Sequence, residues 1–454
     1  MNKENNEKKK NPISKFNTFY SNEKSTSNVS TSFNCADSTK DNMARTTHTY
    51  GNINNSTTKK GKNLHDVKKG NYSLVLKLIC TGQCKSRMDI SCKTGLTKMT
   101  VTNIIQQLLS DNIVSEGELS TAKSVGRKPV MIFPKENTKF SIGVYIARDE
   151  ITISLLSLSA RIVIKKTIPL TIKETQETLL QKITQGINII KKDVDIKKII
   201  GIGVACIGPL DLENGVLLSP TDFYGIENVP LKQILEDWSS LPVIVNNDMN
   251  AAALAEQLYG DGVGSDHFIY FGITHGVGSG IIANGKLFSG SKGYGGEIGH
   301  VSVQSDGPMC SCGNRGCLEV YASMPVFLKK IKHEAVIEDH KIIQSIDDFH
   351  FWDLISLAIA NDAFAVRKVE ELSFIVSTAL INAIHILNSS KIFIGHESAQ
   401  GGEWFAKKIE EQLNRRSMFR KTSVITVGIS KFKDHSPIVG SGVLVFDQLF
   451  QGNL

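Results

Sequence analysis

The sequence predicts an α/β protein in two parts: an N-terminal winged helix-turn-helix, then a larger domain of two α/β lobes. Three observations predict it. Helix-spaced apolar residues lie on both sides of Gly95 and are followed by two short β runs, between about residues 63 and 136. From about residue 139 strands and amphipathic helices alternate in two series with glycine-rich hairpins, the pattern of a bilobal fold with a cleft. Charge is also unevenly spread. Residues 1–70 carry 13 Lys/Arg against 6 Asp/Glu, residues 71–135 carry 9 against 4, and the remaining 319 carry 30 against 35.

A basic front on an acidic body points to an anionic partner, nucleic acid first. A Lys-rich tail that only aids solubility would give the same count. Residues 1–62 are rich in Asn, Ser, Thr and Lys without apolar periodicity, so a disordered basic tail is expected there. The opening MNKENNEKKKNP lacks the apolar stretch of a secretory signal, and no uninterrupted apolar run reaches membrane-spanning length. A cytoplasmic chain with no membrane partner and reduced cysteines is therefore expected.

From Asn71, the residues Tyr72, Leu74, Val75, Leu78 and Ile79 follow helical spacing. A short helix fits Ser86 to Lys93, with Met88 and Ile90 inward and Gly95 where the chain must reverse. Helical spacing resumes through Leu96, Val101, Ile104, Ile105, Leu108 and Leu109. On this third helix Thr97, Lys98, Thr100 and Asn103 offer short or basic donors near the N-terminus, free of bulky apolar groups. That is the end with which a recognition helix reaches base edges of double-stranded DNA. The stretch IVSEGELSTAKSVGRKPVMIF reads as two strands around a basic loop, a wing whose Arg127 and Lys128 would reach the backbone or a minor groove. A helical protein-docking module with a solvated polar face would share part of this pattern.

Residues 137–454 form the second domain. FSIGVYIA, ITISLLSL and RIVIKKTIPL are three strands in succession, TQETLLQKITQGINIIKKD is an amphipathic helix, and KIIGIGVACIG is a buried strand. The second series begins with HFIYFGITHGVGSGIIANGKL. Within it His300, Cys310, Cys312 and Cys317 give H-x9-C-x-C-x4-C. Three thiolates and one imidazole suit a tetrahedral Zn²⁺, and four protein ligands leave no open position, so the zinc would be structural. The alternative is reduced cysteines beside a core histidine.

Three segments carry a more specific signal. GGEIGHVSVQSDGPMCSCGNRGCLEVYAS (295–323), VNNDMNAAALAE (245–256) and IGVACIGPLDLENGVLLSP (202–220) together resemble the ROK family of repressors and sugar kinases. The likeness, with the helix-turn-helix, runs over most of residues 71–450. It implies a two-lobed actin-like (ribonuclease-H-like) ATPase fold, homodimers or tetramers, and the same four zinc ligands. By resemblance Asn247, Asp248, Glu297, His300 and Glu319 match the family positions that contact a sugar, and Asp248 matches its catalytic base. PTDFYG (220–225) would line the same pocket.

The family's nucleotide elements match less well. Its Asp-x-Gly-x-Thr hairpin reads Tyr145-Ile146-Ala147-Arg148-Asp149, its second phosphate hairpin reads Thr274-His275-Gly276-Val277-Gly278, and its paired-glycine turn reads Gly395-His396, where His396 would intrude on a base. The resemblance therefore implies a sugar-responsive transcriptional repressor with a degenerate ATP site, of no catalytic activity. The competing reading is an ATP-dependent sugar kinase with an accessory N-terminal domain, in which Asp149 or Glu150 replaces the missing carboxylate.

Overall fold

The computed structural model describes residues 63–117 and 130–454. Three helices come first: α1 (Leu64–Cys80), α2 (Arg87–Thr94) and α3 (Lys98–Ser110). Each begins on a polar side chain that satisfies a free N–H of the first turn. Asn63 Oδ1 accepts from Asp66 N–H at 2.9 Å while the Asp66 carboxylate takes the Asn63 N–H, a capping box. Ser86 caps α2 through Asp89 N–H at 3.2 Å, and Thr97 caps α3 through Thr100 N–H at 3.1 Å. α2 ends at Gly95 with φ +71°.

Val75, Leu76, Leu78 and Ile79 of α1, Ile90 of α2, and Val101, Ile105 and Leu108 of α3 are buried together. Two expectations need correction. α1 starts at Leu64, well ahead of Asn71, because the capping box rather than apolar spacing sets its start. Met88 does not point inward: it is 53% exposed, since the eight-residue α2 turns only the face of Ile90 to the core. Leu74 is also exposed. β1 (Val114–Gly117) and β2 (Met131–Pro134) pair antiparallel as the stem of a wing. Its loop, with Arg127 and Lys128, lies outside the described residues, as does the tail of residues 1–62.

The first lobe comprises β3 (Phe140–Ile146), β4 (Glu150–Ser157), β5 (Ile162–Pro169), α4 (Gln176–Lys191), β6 (Ile199–Cys206), the short pair β7 (Leu210–Asp211) and β8 (Val216–Leu217), α5 (Leu231–Ser239) and β9 (Val243–Asn247). Its sheet has the order β5-β4-β3-β6-β9, with β3, β4 and β5 antiparallel and β3, β6 and β9 parallel. β3 is covered on both faces and accordingly reads as a near-continuous apolar run. α6 (Asp248–Tyr259) follows β9 directly.

The second lobe repeats the plan: β10 (Phe268–Ile273), β11 (Val277–Ala283) and β12 (Lys286–Leu287), then α7 (Glu319–Ala322), α8 (Met324–Ile337), α9 (Lys341–Gln344), α10 (Phe351–Ile359), α11 (Ala363–Leu387), β13 (Lys391–Gly395), α12 (Gly402–Arg416) and β14 (Thr426–Ile429). Its sheet order is β12-β11-β10-β13-β14, with the same division into antiparallel and parallel pairs. α11 is long and apolar enough to cross a membrane by composition, yet Leu372, Val376, Leu380 and Ile384 are buried in this lobe's core. α13 (Ser436–Gln451) then returns and packs along α6 and against β3 and β6. Its Phe446 and Phe450, with Leu258 and Tyr259 of α6, share one apolar cluster with Val75 and Cys80 of α1.

Candidate functional site

Between the lobes lies a cavity of about 1220 Å³. Asn247, Asp248, Glu297, His300 and Glu319 all line it. The first two come from the junction of β9 and α6. Asn247 is the N-cap, its Oδ1 accepting from Met249 N–H at 2.9 Å and Asn250 N–H at 3.4 Å, so only its amide nitrogen is free for a ligand. Asp248 is buried, and its Oδ1 accepts from Met249 N–H at 2.9 Å. Burial pushes its carboxyl up to about 7, with the charge of Glu297 adding to the rise and the Met249 N–H and Arg148 opposing it. The Asn-Asp pair is thus the head of a buried helix and not a surface turn.

The opposite wall is the loop that carries the His/Cys set. One ligand atom from each of His300, Cys310, Cys312 and Cys317 lies within 4.8 Å of the others. Cys312 and Cys317 sulfurs are 3.7 Å apart, and Cys310 Sγ is 3.6 Å from His300 Nδ1. A tetrahedral ion with metal–sulfur bonds of about 2.3 Å requires sulfurs roughly 3.8 Å apart, so the donors fit zinc. Gly313 (φ +89°) and Gly316 (φ +61°) turn the loop back, and a Cβ at Gly316 would stand 1.7 Å from the Gln304 carbonyl oxygen. Approach through Nδ1 would leave His300 Nε2 free.

Two carboxylates follow from this loop. Glu297 is accessible within the cleft, but the protein around it raises its carboxyl above the usual range, an effect that His300 opposes and Glu319 reinforces. Glu319 Oε2 accepts the Val277 N–H at 3.0 Å, at the turn between β10 and β11. In that turn the Gly276 N–H reaches Thr274 Oγ1 at 3.3 Å and the Thr274 N–H bonds the Gly276 carbonyl at 2.8 Å. A carboxylate thus occupies a backbone donor of this turn.

At the other hairpin Tyr145 lies one residue before the end of β3, opposite Thr152. The Arg148 guanidinium donates to the Thr221 carbonyl, and Tyr224 Oη donates to the Arg148 carbonyl at 2.7 Å, so the hairpin is tied to the PTDFYG segment. Asp149 and Glu150 line the cleft, with Glu150 accepting from Thr152 Oγ1 at 3.2 Å. Glu397 is driven up to about 7, first by burial and then by Asp149. Asp434 adds another carboxylate to this wall. His396 is only 2% exposed and lies in the wall of the cleft. Sequence reading gave no sign of its partner Tyr270, hidden in an apolar strand.

On α3, Lys98 and Asn103 are exposed. Thr97 is spent on the cap, and its Oγ1 lies 2.9 Å from that of Thr100. The end of the helix is not free of bulky apolar groups, because Met99 is 70% exposed there.

Residues 141–448 match the ROK family. The chain is 31% identical over 389 residues to the xylose repressor of Caldicellulosiruptor bescii, covering 84% of this chain and 97% of that protein. Among solved structures it is similar to a ROK family transcriptional regulator, a homologue of Escherichia coli Mlc, at 26% identity and TM-score 0.71 over 85% of this chain and 97% of that one. It is also similar to a ROK family glucokinase from Streptomyces griseus in complex with glucose and AMPPNP, at 26% identity and TM-score 0.60 over 67% of this chain and 98% of that one.

Proposed function

The chain belongs to the ROK family, and from that premise we propose that it is a DNA-binding transcriptional repressor of sugar-utilisation genes whose effector is a sugar held in the interlobe cleft. The observation that carries this reading is the path of α6. It begins at Asp248 in the cleft and ends at Tyr259, whose Oη bonds the Leu158 carbonyl at 2.9 Å and whose ring packs in the cluster that holds α1. A change at the ligand end of such a rod reaches the DNA-binding head through packed side chains.

In this reading Lys98, Asn103 and Met99 of α3 face DNA, with Thr97 and Thr100 shaping the helix start and Arg127 and Lys128 on the wing. A homodimer places two such helices at a spacing set by its two-fold axis. Sugar binds one arrangement of the lobes more tightly than the other, and the spacing then no longer fits the operator. Asn247, Asp248, Glu297, His300 and Glu319 receive the hydroxyls. A structural zinc on His300, Cys310, Cys312 and Cys317 holds the wall that presents three of them. The protein acts in the cytoplasm, where its DNA is.

Sugar phosphorylation is the second reading, favoured by the likeness to the glucokinase. Against it stand Tyr145 in the first hairpin, Glu319 on the Val277 N–H, and a wall bearing Asp149, Glu150, Glu397 and Asp434 where a triphosphate would lie. Fluorescence anisotropy on DNA from upstream of the protein's own gene, against scrambled DNA at fixed salt and with a panel of free and phosphorylated sugars, tests the proposal. Sequence-preferring binding that one sugar abolishes is the expected result. Binding indifferent to sequence, together with sugar-dependent ATP turnover in a coupled assay, would replace it with the kinase.

A further inference from the structure

His396 occupies an unusual place. Its backbone is left-handed, φ +54°, a region a side-chain-bearing residue enters only when its surroundings hold it there. The imidazole is buried, and Nδ1 lies 2.9 Å from Tyr270 Oη. That approach depends on Gly395, where a Cβ would stand 1.7 Å from the Tyr270 hydroxyl. Among the described residues Nε2 has no hydrogen-bond partner, and it faces Asp248 Oδ2 at 3.8 Å. Since Asp248 Oδ1 already holds the Met249 N–H, Oδ2 is the oxygen left for a ligand.

We propose that His396 is a positioning residue for Asp248: held by Tyr270, it directs an Nε2–H at Oδ2, and this bond closes when a sugar hydroxyl engages the carboxylate. The proposal rests on the sugar-site reading above. A neutral imidazole has one donor and one acceptor nitrogen. With Tyr270 donating to Nδ1, Nε2 carries the proton; the other tautomer would set a lone pair against an ionised carboxylate. Burial keeps the ring neutral, holding its pKa down to about 3 against the pull of Asp434. The present separation is too long for a hydrogen bond, and bonds of this kind often tighten only in the ligand complex.

Tyr145, Cys206 and Tyr270 also surround Asp248, and burial raises all three well above their ordinary values, so they stay uncharged near neutrality. Arg148 and Glu297 act on Asp248 and Asp434 acts on His396, while Glu397, Asp149 and Glu150 line the same wall. A donor at Nε2 stabilises ionised Asp248, the form that accepts from a hydroxyl. Sugar affinity should then fall as pH drops through the carboxyl's midpoint, and loss of the donor should move that midpoint upward.

The test uses the full-length protein with His396→Gly, His396→Asn and Asp248→Asn. Glycine and asparagine both accept a left-handed backbone, which protects the fold. D-xylose, D-glucose and N-acetylglucosamine are titrated by calorimetry across pH. Wild-type affinity is expected to fall about tenfold per unit below the midpoint. His396→Gly should bind roughly tenfold more weakly with a higher midpoint, and His396→Asn, whose amide stops short of the Nε2 position, should be as weak. Unchanged affinity and midpoint in His396→Gly, or an Asn variant that binds as the wild type does, overturns the positioning role. If Asp248→Asn binds sugar as the wild type does, the sugar-site reading itself falls. Should no sugar bind the wild type, carboxyl-carbon NMR titration of Asp248, assigned by its loss in Asp248→Asn, decides the role of His396 alone. A midpoint raised in His396→Gly supports it, and an unchanged one overturns it.

Discussion

The two sheets share a strand order, and each sends an antiparallel hairpin into the cleft, but the hairpins treat their polar groups differently. The β3–β4 hairpin sets the half-buried ring of Tyr145 in the cleft wall, and its Arg148 donates to the Thr221 carbonyl. The β10–β11 turn surrenders its Val277 N–H to Glu319, a side chain brought there by the His/Cys loop. Equivalent places in a repeated scaffold therefore carry different chemistry, decided by a few side chains and not by the fold. The wall of the His/Cys loop presents Glu297, His300 and Glu319, while the hairpin wall presents carboxylates and spent donors.

The sharpest way to break this comparison is to release the loop. Replacing Cys312 by Ser should take bound zinc, measured by atomic absorption, from about one per chain to none, and weaken sugar binding by roughly 100-fold because Glu297, His300 and Glu319 lose their frame. Unchanged sugar affinity in a zinc-free protein would show that the wall needs no metal.

Asp248→Asn comes next and should act in two directions. Losing the charged acceptor should cost about 10- to 100-fold in sugar affinity by calorimetry. Stability should rise. A carboxyl whose folded pKa of about 7 exceeds its unfolded value binds more protons folded than unfolded between those values, so its contribution falls as pH climbs from about 4 to about 7. At pH 7.5 the amide should therefore raise the melting temperature, and below about pH 4 the two proteins should melt together.

Glu319→Ala leaves the Val277 N–H unpaired, and roughly a tenfold loss of sugar affinity is expected. ATP with Mg²⁺ should still give no calorimetric heat; if it does, Glu319 alone had been barring phosphate. The smallest effect belongs to the head. Lys98→Ala should weaken DNA binding by a few fold, flatten the salt dependence by about one unit, and leave sugar affinity unchanged.

Much of this molecule was legible before its folding was known. Apolar periodicity located α3, α4 and β3 to β6, and the His/Cys spacing named four residues that converge, because turns within eighteen positions bring them together. Met88 was misjudged because periodicity names an apolar face without saying how much of it a short helix buries. Thr97 was read for DNA although its hydroxyl caps its own helix, a local competition that composition does not rank.

Local order, then, was written along the chain: helix starts, the reversal at Gly95, the convergent His/Cys set, and the alternation that makes two lobes. These depend on backbone preferences and on neighbours a few residues away. Pairings across the cleft were not. Tyr270 and His396 are 126 positions apart and Val277 and Glu319 are 42 apart, and each pair meets only because strand register and the His/Cys loop bring distant segments to one point. Residue type can propose such partners, but distance along the chain hides them until the sheets are assembled.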